Sequence, residues 1–392
     1  MGEQPQLLVL IDALGWTLAE RYGFLHRRLS CRQAVRTVLG YSSGAIPTLL
    51  TGLPPARHGR WNLLFRDPAN SPFRRLRGMR RLPAWSCDHR AGRKLMQVLG
   101  RRWLGAGPGF DCVISPRLLS WFSWAEPRHL YALDGMPQPE FFFRRLERAG
   151  RRWRVYSYAG GGDAGLMARA EADLRAGRAE IYFLYLCELD HLLHEKLGRD
   201  EAAIVERLAF YAQRLDRLAE IGGARLTVIS DHGMTPVQGV VRAKLPDGWR
   251  MPEDVLAVAD ATMYRCWYAH PAARPAMEAR LRAWPHGRLL TPQELEAEGL
   301  GFADARYGES LWLADPGWMV AGSGFHTRWQ PAAMHGYHPD DADSDAVWLS
   351  ELDTPLPPRN LIEMYGGLCA LAGIAGFDAA APATASAGAV QR

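Results

Sequence analysis

Four short apolar runs punctuate the chain: Leu7–Ile11, Ile181–Leu186, Leu226–Ser230 and Ala346–Leu349. A fifth, weaker one is Arg154–Tyr158. Runs of four to six residues that are apolar at consecutive positions suit strands buried on both faces, as in a parallel sheet. The segments between them carry apolar residues three and four apart. The spacing predicts helices over Gly165–Ala176 and Glu201–Ile221, with Ile204, Leu208, Tyr211, Leu215 and Leu218 on one face of the second, and a closing helix over Asn360–Leu371. Strands alternating with helices predict an α/β fold.

Two long stretches break this rhythm. Residues 61–153 are rich in arginine and aromatic residues, with helix-like pieces only at Arg90–Val98 and Glu140–Ala149. Residues 235–331 read as a second irregular region, with strand-like Thr262–Tyr268 and Leu311–Ala314 and a helical Arg274–Ala283. Both read as insertions that cap the C-terminal edge of the sheet. The run Asp340, Asp341, Asp343, Asp345 reads as a solvated loop. Residues 1–378 are expected to form a single catalytic domain. Residues 379–392 are Ala-rich without core residues, so disorder is expected there.

Composition adds constraints. The 392 residues, 48% hydrophobic and 23% charged, fit a soluble globular protein. The formal charge of +5 comes almost wholly from arginine, because Lys94, Lys196 and Lys244 are the only lysines. This reflects either a GC-rich genome or an anionic substrate or partner. Basic residues interleaved with aromatics also suit nucleic acid. The arginines are spread over the whole chain, however, so no stable nucleic-acid complex is expected. The six cysteines are scattered without a CxxC pair, which excludes a disulfide framework and a cysteine zinc site. No secretory leader and no membrane-spanning run is seen, so the expected location is the cytoplasm.

The candidate chemistry lies where strands end. Asp12 closes the first apolar run, and Asp231-His232-Gly233 follows the run that ends at Ser230. Ligands of open α/β sheets gather at that edge, and a carboxylate beside an imidazole suits a transition metal. Alone, Asp12 reads equally well as a turn or cap residue. Asp190 follows the Ile181–Leu186 run, and His194 lies one helical turn later on the same face, so both can reach one ion. His191 points elsewhere. His335, followed by Gly336, is placed to reach back as a further ligand, with His326 and His338 as competitors. Ser42 and Ser43 precede an expected helix start. A helix N-terminus favours an anion, but a serine there needs a base or a metal to become a nucleophile.

Taken in order, these motifs resemble the alkaline phosphatase superfamily, in its type I phosphodiesterase/nucleotide pyrophosphatase branch. The resemblance extends to about Gly376. It rests on Val9–Gly15, Thr48–Gly52 with His58-Gly59, Asp190 to His194, Ser230–Met234, and His335-Gly336-Tyr337. Arg306–Gly308 and Ala314–Gly317 resemble the segment that the branch carries before its last metal histidine. The resemblance implies a three-layer α/β/α fold with a mainly parallel central sheet. It implies two divalent ions, zinc first and manganese as the alternative. Asp190, His194 and His335 would hold one ion; Asp12, Asp231 and His232 would hold the other, together with the nucleophile. Counting from Thr51 makes that nucleophile Ser42, with Ser43 second. The backbone N–H of Ser43 and the side chain of Asn62 would hold the remaining phosphate oxygen. The implied reaction is hydrolysis of a phosphate diester or pyrophosphate through a phosphoserine, on an anionic small-molecule substrate. The alternative is a phosphomonoesterase, phosphonate hydrolase or phosphoryl transferase on the same fold. The branch has Thr followed by Pro-Asn at the nucleophile, whereas here Ser42 is followed by Ser43-Gly44-Ala45.

Overall fold

A computed structural model describes residues 4–374, apart from 108–109, 159–160, 322–329 and 353–355. The expected tail at 379–392 lies outside the described residues. Six strands form the central sheet: β1 (Gln6–Ile11), β2 (Cys31–Val35), β3 (Trp153–Tyr156), β4 (Ile181–Leu186), β5 (Arg225–Ile229) and β6 (Ala346–Ser350). Their order is β2-β6-β5-β1-β4-β3. β1 pairs parallel with both β4 and β5, β3 pairs parallel with β4, and β6 runs antiparallel to β5 and β2. The register sets Ile11 beside Leu186 and Leu10 beside Ile229, so three strands end at one edge.

Alternation along β1 divides the core. Leu7, Val9 and Ile11 pack toward helices α2 (Asp163–Arg175), α3 (Glu188–Lys196) and α4 (Glu201–Gly222). Leu8 and Leu10 pack the other way, toward α1 (Ser42–Thr51) and α5 (Leu361–Leu371). This is the expected three-layer α/β/α arrangement with a mainly parallel sheet. β2 was not foreseen, because Cys-Arg-Gln-Ala-Val is an edge strand with only Val35 fully buried and so carries no apolar signature.

The stretch 235–331 differs from its reading as irregular. It contains a four-stranded antiparallel sheet in the order Val255–Asp260, Met263–Tyr268, Ser310–Ala314, Gly287–Leu289. Its first hairpin turns on Ala261-Thr262, with Ala261 at φ 40°. A tight hairpin of this kind is usually signalled by Asn-Gly or Asp-Gly, so its turn was invisible in the sequence. The same sheet is packed against the 61–153 stretch. Leu256, Val258 and Trp267 share one apolar cluster with Leu64, Phe73, Met96, Phe110 and Phe122.

The acidic run is also not merely solvated. Its backbone carbonyls at Asp343 and Asp345 pack against Gly15 and Gly233, and the Gly233 N–H donates to Ser344 O (2.9 Å). A Cβ on Gly233 would stand 2.1 Å from Asp343 O, a backbone atom that cannot step aside alone. Gly233→Ala should therefore lower stability by about 1–3 kcal/mol through overpacking. An unchanged denaturant midpoint would refute this account of the loop.

Candidate active site

The site residues gather at the edge where β1, β4 and β5 end. Asp12 follows β1, and its N–H donates to Leu186 O (2.9 Å), which ties the two strand tips together. Asp231 and His232 follow β5. Asp190 and His194 project from the first turns of α3. His335 follows the two-residue strand Ala333–Met334, which pairs antiparallel with Thr235–Pro236 just beyond Asp231-His232. The loop carrying His335 is thereby fastened to the loop carrying His232.

The result is two groups of three. In Asp190, His194 and His335, and again in Asp12, Asp231 and His232, the potential ligand atoms lie within 4.8 Å of one another. His232 and His335 stack with ring centroids 3.8 Å apart and planes 10° apart, so the two groups are neighbours. His194 Nδ1 lies 2.9 Å from Ala333 O, and His232 Nδ1 lies 2.9 Å from Gly233 O. A carbonyl can only accept, so Nδ1 carries the proton in both rings and Nε2 is left as the ligand atom. His194 Nε2 is 3.3 Å from Asp190 Oδ1, and His232 Nε2 is 3.3 Å from Asp231 Oδ2. The competitor His338 instead faces Glu298 and Asp340. His326 lies outside the described residues.

The electrostatics call for cations. Asp12, Asp190 and Asp231 converge in one buried space. Asp12 Oδ1, Asp190 Oδ1 and Asp231 Oδ2 are buried without a hydrogen-bond donor. Burial, reinforced by Asp231 and Asp190, pushes the Asp12 carboxyl well above the usual carboxylate range. Burial likewise raises Asp231 against the pull of His232. Burial would raise Asp190 too, but His194, then His335 and His232, outweigh it and hold that carboxyl well below its ordinary value. Carboxylates left this way are costly unless a cation joins them. Three carboxylate oxygens and three imidazole Nε2 atoms are a donor set that fits borderline divalent metals.

Ser42 opens α1, and its Oγ lies 2.9 Å from His232 Nε2. With Nδ1 protonated, that contact is a hydroxyl donating to the lone pair that would otherwise hold a metal. Ser43 is committed elsewhere: its hydroxyl donates to Trp61 O (3.0 Å). Asn62 is buried, and its Nδ2 has no acceptor. Both serines, Asn62, Asp190, His194 and His335 line a pocket of about 450 Å³. Leu130, Tyr131, Tyr158 and Tyr185 also line it, with Glu126 among them. Among the described residues, no arginine or lysine lines it. His191, expected to point elsewhere, is exposed and sits on its rim.

Sequence reading missed Tyr185 and Tyr41. The Tyr185 hydroxyl donates to Asp12 Oδ2. Tyr185 lies inside a continuous apolar strand, where a tyrosine reads as core. The Tyr41 hydroxyl donates to Asp260 O (2.5 Å) and lies 2.9 Å from Thr262 Oγ1, which in turn donates to Gly336 O (2.9 Å). Only the tertiary fold brings those four residues together.

A carboxylate–imidazole edge beside a serine at a helix N-terminus, on a three-layer α/β/α fold, defines a phosphoryl-transfer hydrolase of the alkaline phosphatase superfamily. The family model for type I phosphodiesterase/nucleotide pyrophosphatase matches residues 7–338. The chain belongs to that family and is a hydrolase of phosphodiester bonds. Among solved structures it is similar to human ectonucleotide pyrophosphatase/phosphodiesterase 5, with a TM-score of 0.67 at 15% identity over 95% of this chain and 96% of that one. The murine counterpart gives 0.65 at 17% identity, over 95% and 96%. An inactive murine variant in complex with AMP gives 0.65 at 18% identity, over 96% of both chains. No curated protein sequence matches this chain significantly.

His58, part of the motif after α1, serves the scaffold. Its Nδ1 accepts from Arg60 N–H (3.2 Å) and its Nε2–H faces Thr48 Oγ1 (3.0 Å). Burial, then Arg60, lowers its pKa to about 3 from an ordinary 6.5. The unfolded chain therefore binds one more proton than the folded one between these values. The His58 contribution is complete above pH 6.5 and is lost as pH falls toward 3. Within that window wild-type stability should fall about 1.4 kcal/mol per pH unit more steeply than that of His58→Gln. Parallel pH–stability curves for the two proteins would contradict a neutral buried His58.

Proposed function

We propose that this protein cleaves phosphate diesters or pyrophosphates through a phosphoserine on Ser42. The observation that carries this reading is Ser42 Oγ lying 2.9 Å from His232 Nε2, at the mouth of both three-ligand groups. Asp190, His194 and His335 would hold one divalent ion, and Asp12, Asp231 and His232 the other. Zinc is the first candidate and manganese the second. Bound there, two cations neutralise phosphate oxygens and ease loss of the serine proton.

The chain's own residues supply the rest. α1 presents the first N–H groups of a helix, Ser43 among them, to the phosphate. Asn62 Nδ2, lacking an acceptor, is free to donate to a non-bridging oxygen. Ser42 Oγ attacks phosphorus, the ester oxygen departs toward the pocket, and water then cleaves the phosphoserine. Tyr185 holds Asp12 from behind and fixes the orientation of that carboxylate.

The pocket favours the diester over the monoester reading. Beyond the reacting centre it continues to Tyr131 and Tyr158, which leaves room for a second substituent. A monoester brings one more negative charge, yet the described lining offers no arginine or lysine to meet it. Tyrosine walls suit a flat ring, in keeping with the AMP bound by the murine relative's inactive variant.

Two outcomes are expected. His232→Ala and Asp190→Ala should each lose one bound metal by elemental analysis and nearly all turnover while keeping the fold. More than a few per cent of wild-type activity in either would sink the two-ion assignment. Bis-p-nitrophenyl phosphate should be hydrolysed in preference to p-nitrophenyl phosphate. That activity should disappear in Ser42→Ala and survive in Ser43→Ala. A preference for the monoester would shift the enzyme to the phosphatase reading.

A further inference from the structure

The outer surface of the 61–153 insertion has a composition unlike the rest of the chain. Between Arg74 and Trp103 there are ten arginines and lysines against a single acid, Asp88. Asp88 is already taken by Arg93 (2.7 Å). Among the described residues, Arg74, Arg80, Arg81, Arg90, Lys94 and Arg102 form no ion pair and stand exposed. The same short span holds five of the eleven large hydrophobic side chains exposed on the described residues: Leu82, Trp85, Leu95, Val98 and Trp103. Trp85 is 80% exposed and Trp103 79%.

The arrangement is built by one helix and its flanks. The helix Arg90–Arg102 buries Met96 and Gly100 toward the insertion's own apolar core. Leu95 and Val98 lie three apart on the opposite face, with Arg102 one turn further, so a second apolar stripe faces outward. Arg90, Lys94 and Arg101 edge that stripe. A scattered exposed leucine needs no explanation, but five large exposed apolar side chains among cations within thirty residues do. Tryptophans beside arginines, with aliphatic side chains between them, match the interface of an anionic bilayer. There the rings sit at the headgroup level and the cations meet lipid phosphates. Single-stranded nucleic acid would use the cations and the rings but would leave Leu82, Leu95 and Val98 unsatisfied. Among the described residues no helix is long and apolar enough to cross a membrane, so the contact is with the surface.

We propose that the face formed by Leu82, Trp85 and the outer stripe of Arg90–Arg102 with Trp103 docks the enzyme onto an anionic lipid surface. The proposal does not depend on which bond the active site cleaves. Its test is co-sedimentation of the full chain with phosphatidylcholine vesicles, plain or containing about 30 mol% phosphatidylserine. The protein should partition at least about tenfold more strongly onto the anionic vesicles, and raising salt should weaken the difference. Trp85→Ser/Trp103→Ser and, separately, Arg80→Glu/Arg81→Glu should each reduce binding several-fold at an unchanged melting temperature. If one variant fails to fold, the other decides. Equal partitioning onto neutral and anionic vesicles, or undiminished binding by the folded variants, would overturn the proposal. So would tight binding of a single-stranded oligonucleotide by a protein that ignores both kinds of vesicle.

Discussion

Three carboxylates are buried side by side, and much of the fold around them is the means of holding them there. Asp12, Asp190 and Asp231 repel one another in a poorly solvated space, and three of their oxygens have no donor within the protein. Such a cluster survives only on a rigid frame. The frame is three adjacent parallel strands whose tips are locked in register, with Asp12 N–H bonded across to Leu186 O. Tyr185 meets one oxygen of Asp12, and Ala13 N–H approaches Asp231 Oδ1 (3.4 Å). What the protein leaves unmet is a space shaped for positive charge.

Ser42 is tied to this frame through contacts distant in sequence. Tyr41, immediately before Ser42, reaches the hairpin turn at Asp260-Thr262, and Thr262 reaches Gly336 beside His335. One chain of hydrogen bonds thus joins the start of α1, the antiparallel sheet and the loop of the last imidazole. A Cβ on Gly336, which sits at φ 92°, would stand 2.5 Å from the Tyr41 ring, so glycine is the residue that lets these pieces meet. In this arrangement the antiparallel sheet helps to set the position of Ser42 relative to His335.

The part of this that was legible in the sequence was the part governed by local rules. Continuous apolar runs marked β1, β4 and β5, and the polar residues at their ends marked the candidate ligands that the fold brings together, because a strand buried on both faces leaves chemistry only at its tips. The spacing of Asp190 and His194 is a property of one helix. Three further features depended on tertiary contacts and left no local trace. β2 is an edge strand without an apolar face, the hairpin at Ala261 turns without glycine, and Tyr185 resembles any other core tyrosine until Asp12 is set against it. The choice of His335 over His338 likewise needed the pairing of Met334 with Thr235.

Charge is sorted more sharply than the composition alone implies. Nearly all of the 47 basic residues are arginine, yet among the described residues none lines the pocket, where Glu126 and Glu195 stand instead. A guanidinium there would compete with cations for the same carboxylates and would be drawn into permanent ion pairs with them. The absence of arginine from the described lining would leave the three acids available to metal. With ions bound as proposed, the neighbouring carboxylates would raise the cost of surplus negative charge on the substrate, which would disfavour substrates more highly charged than the ions could neutralise. The same insertion that contributes Asn62 and Glu126 to this interior carries its unpaired cations on the outside. Within one segment of chain, acid faces the chemistry and base faces the surroundings.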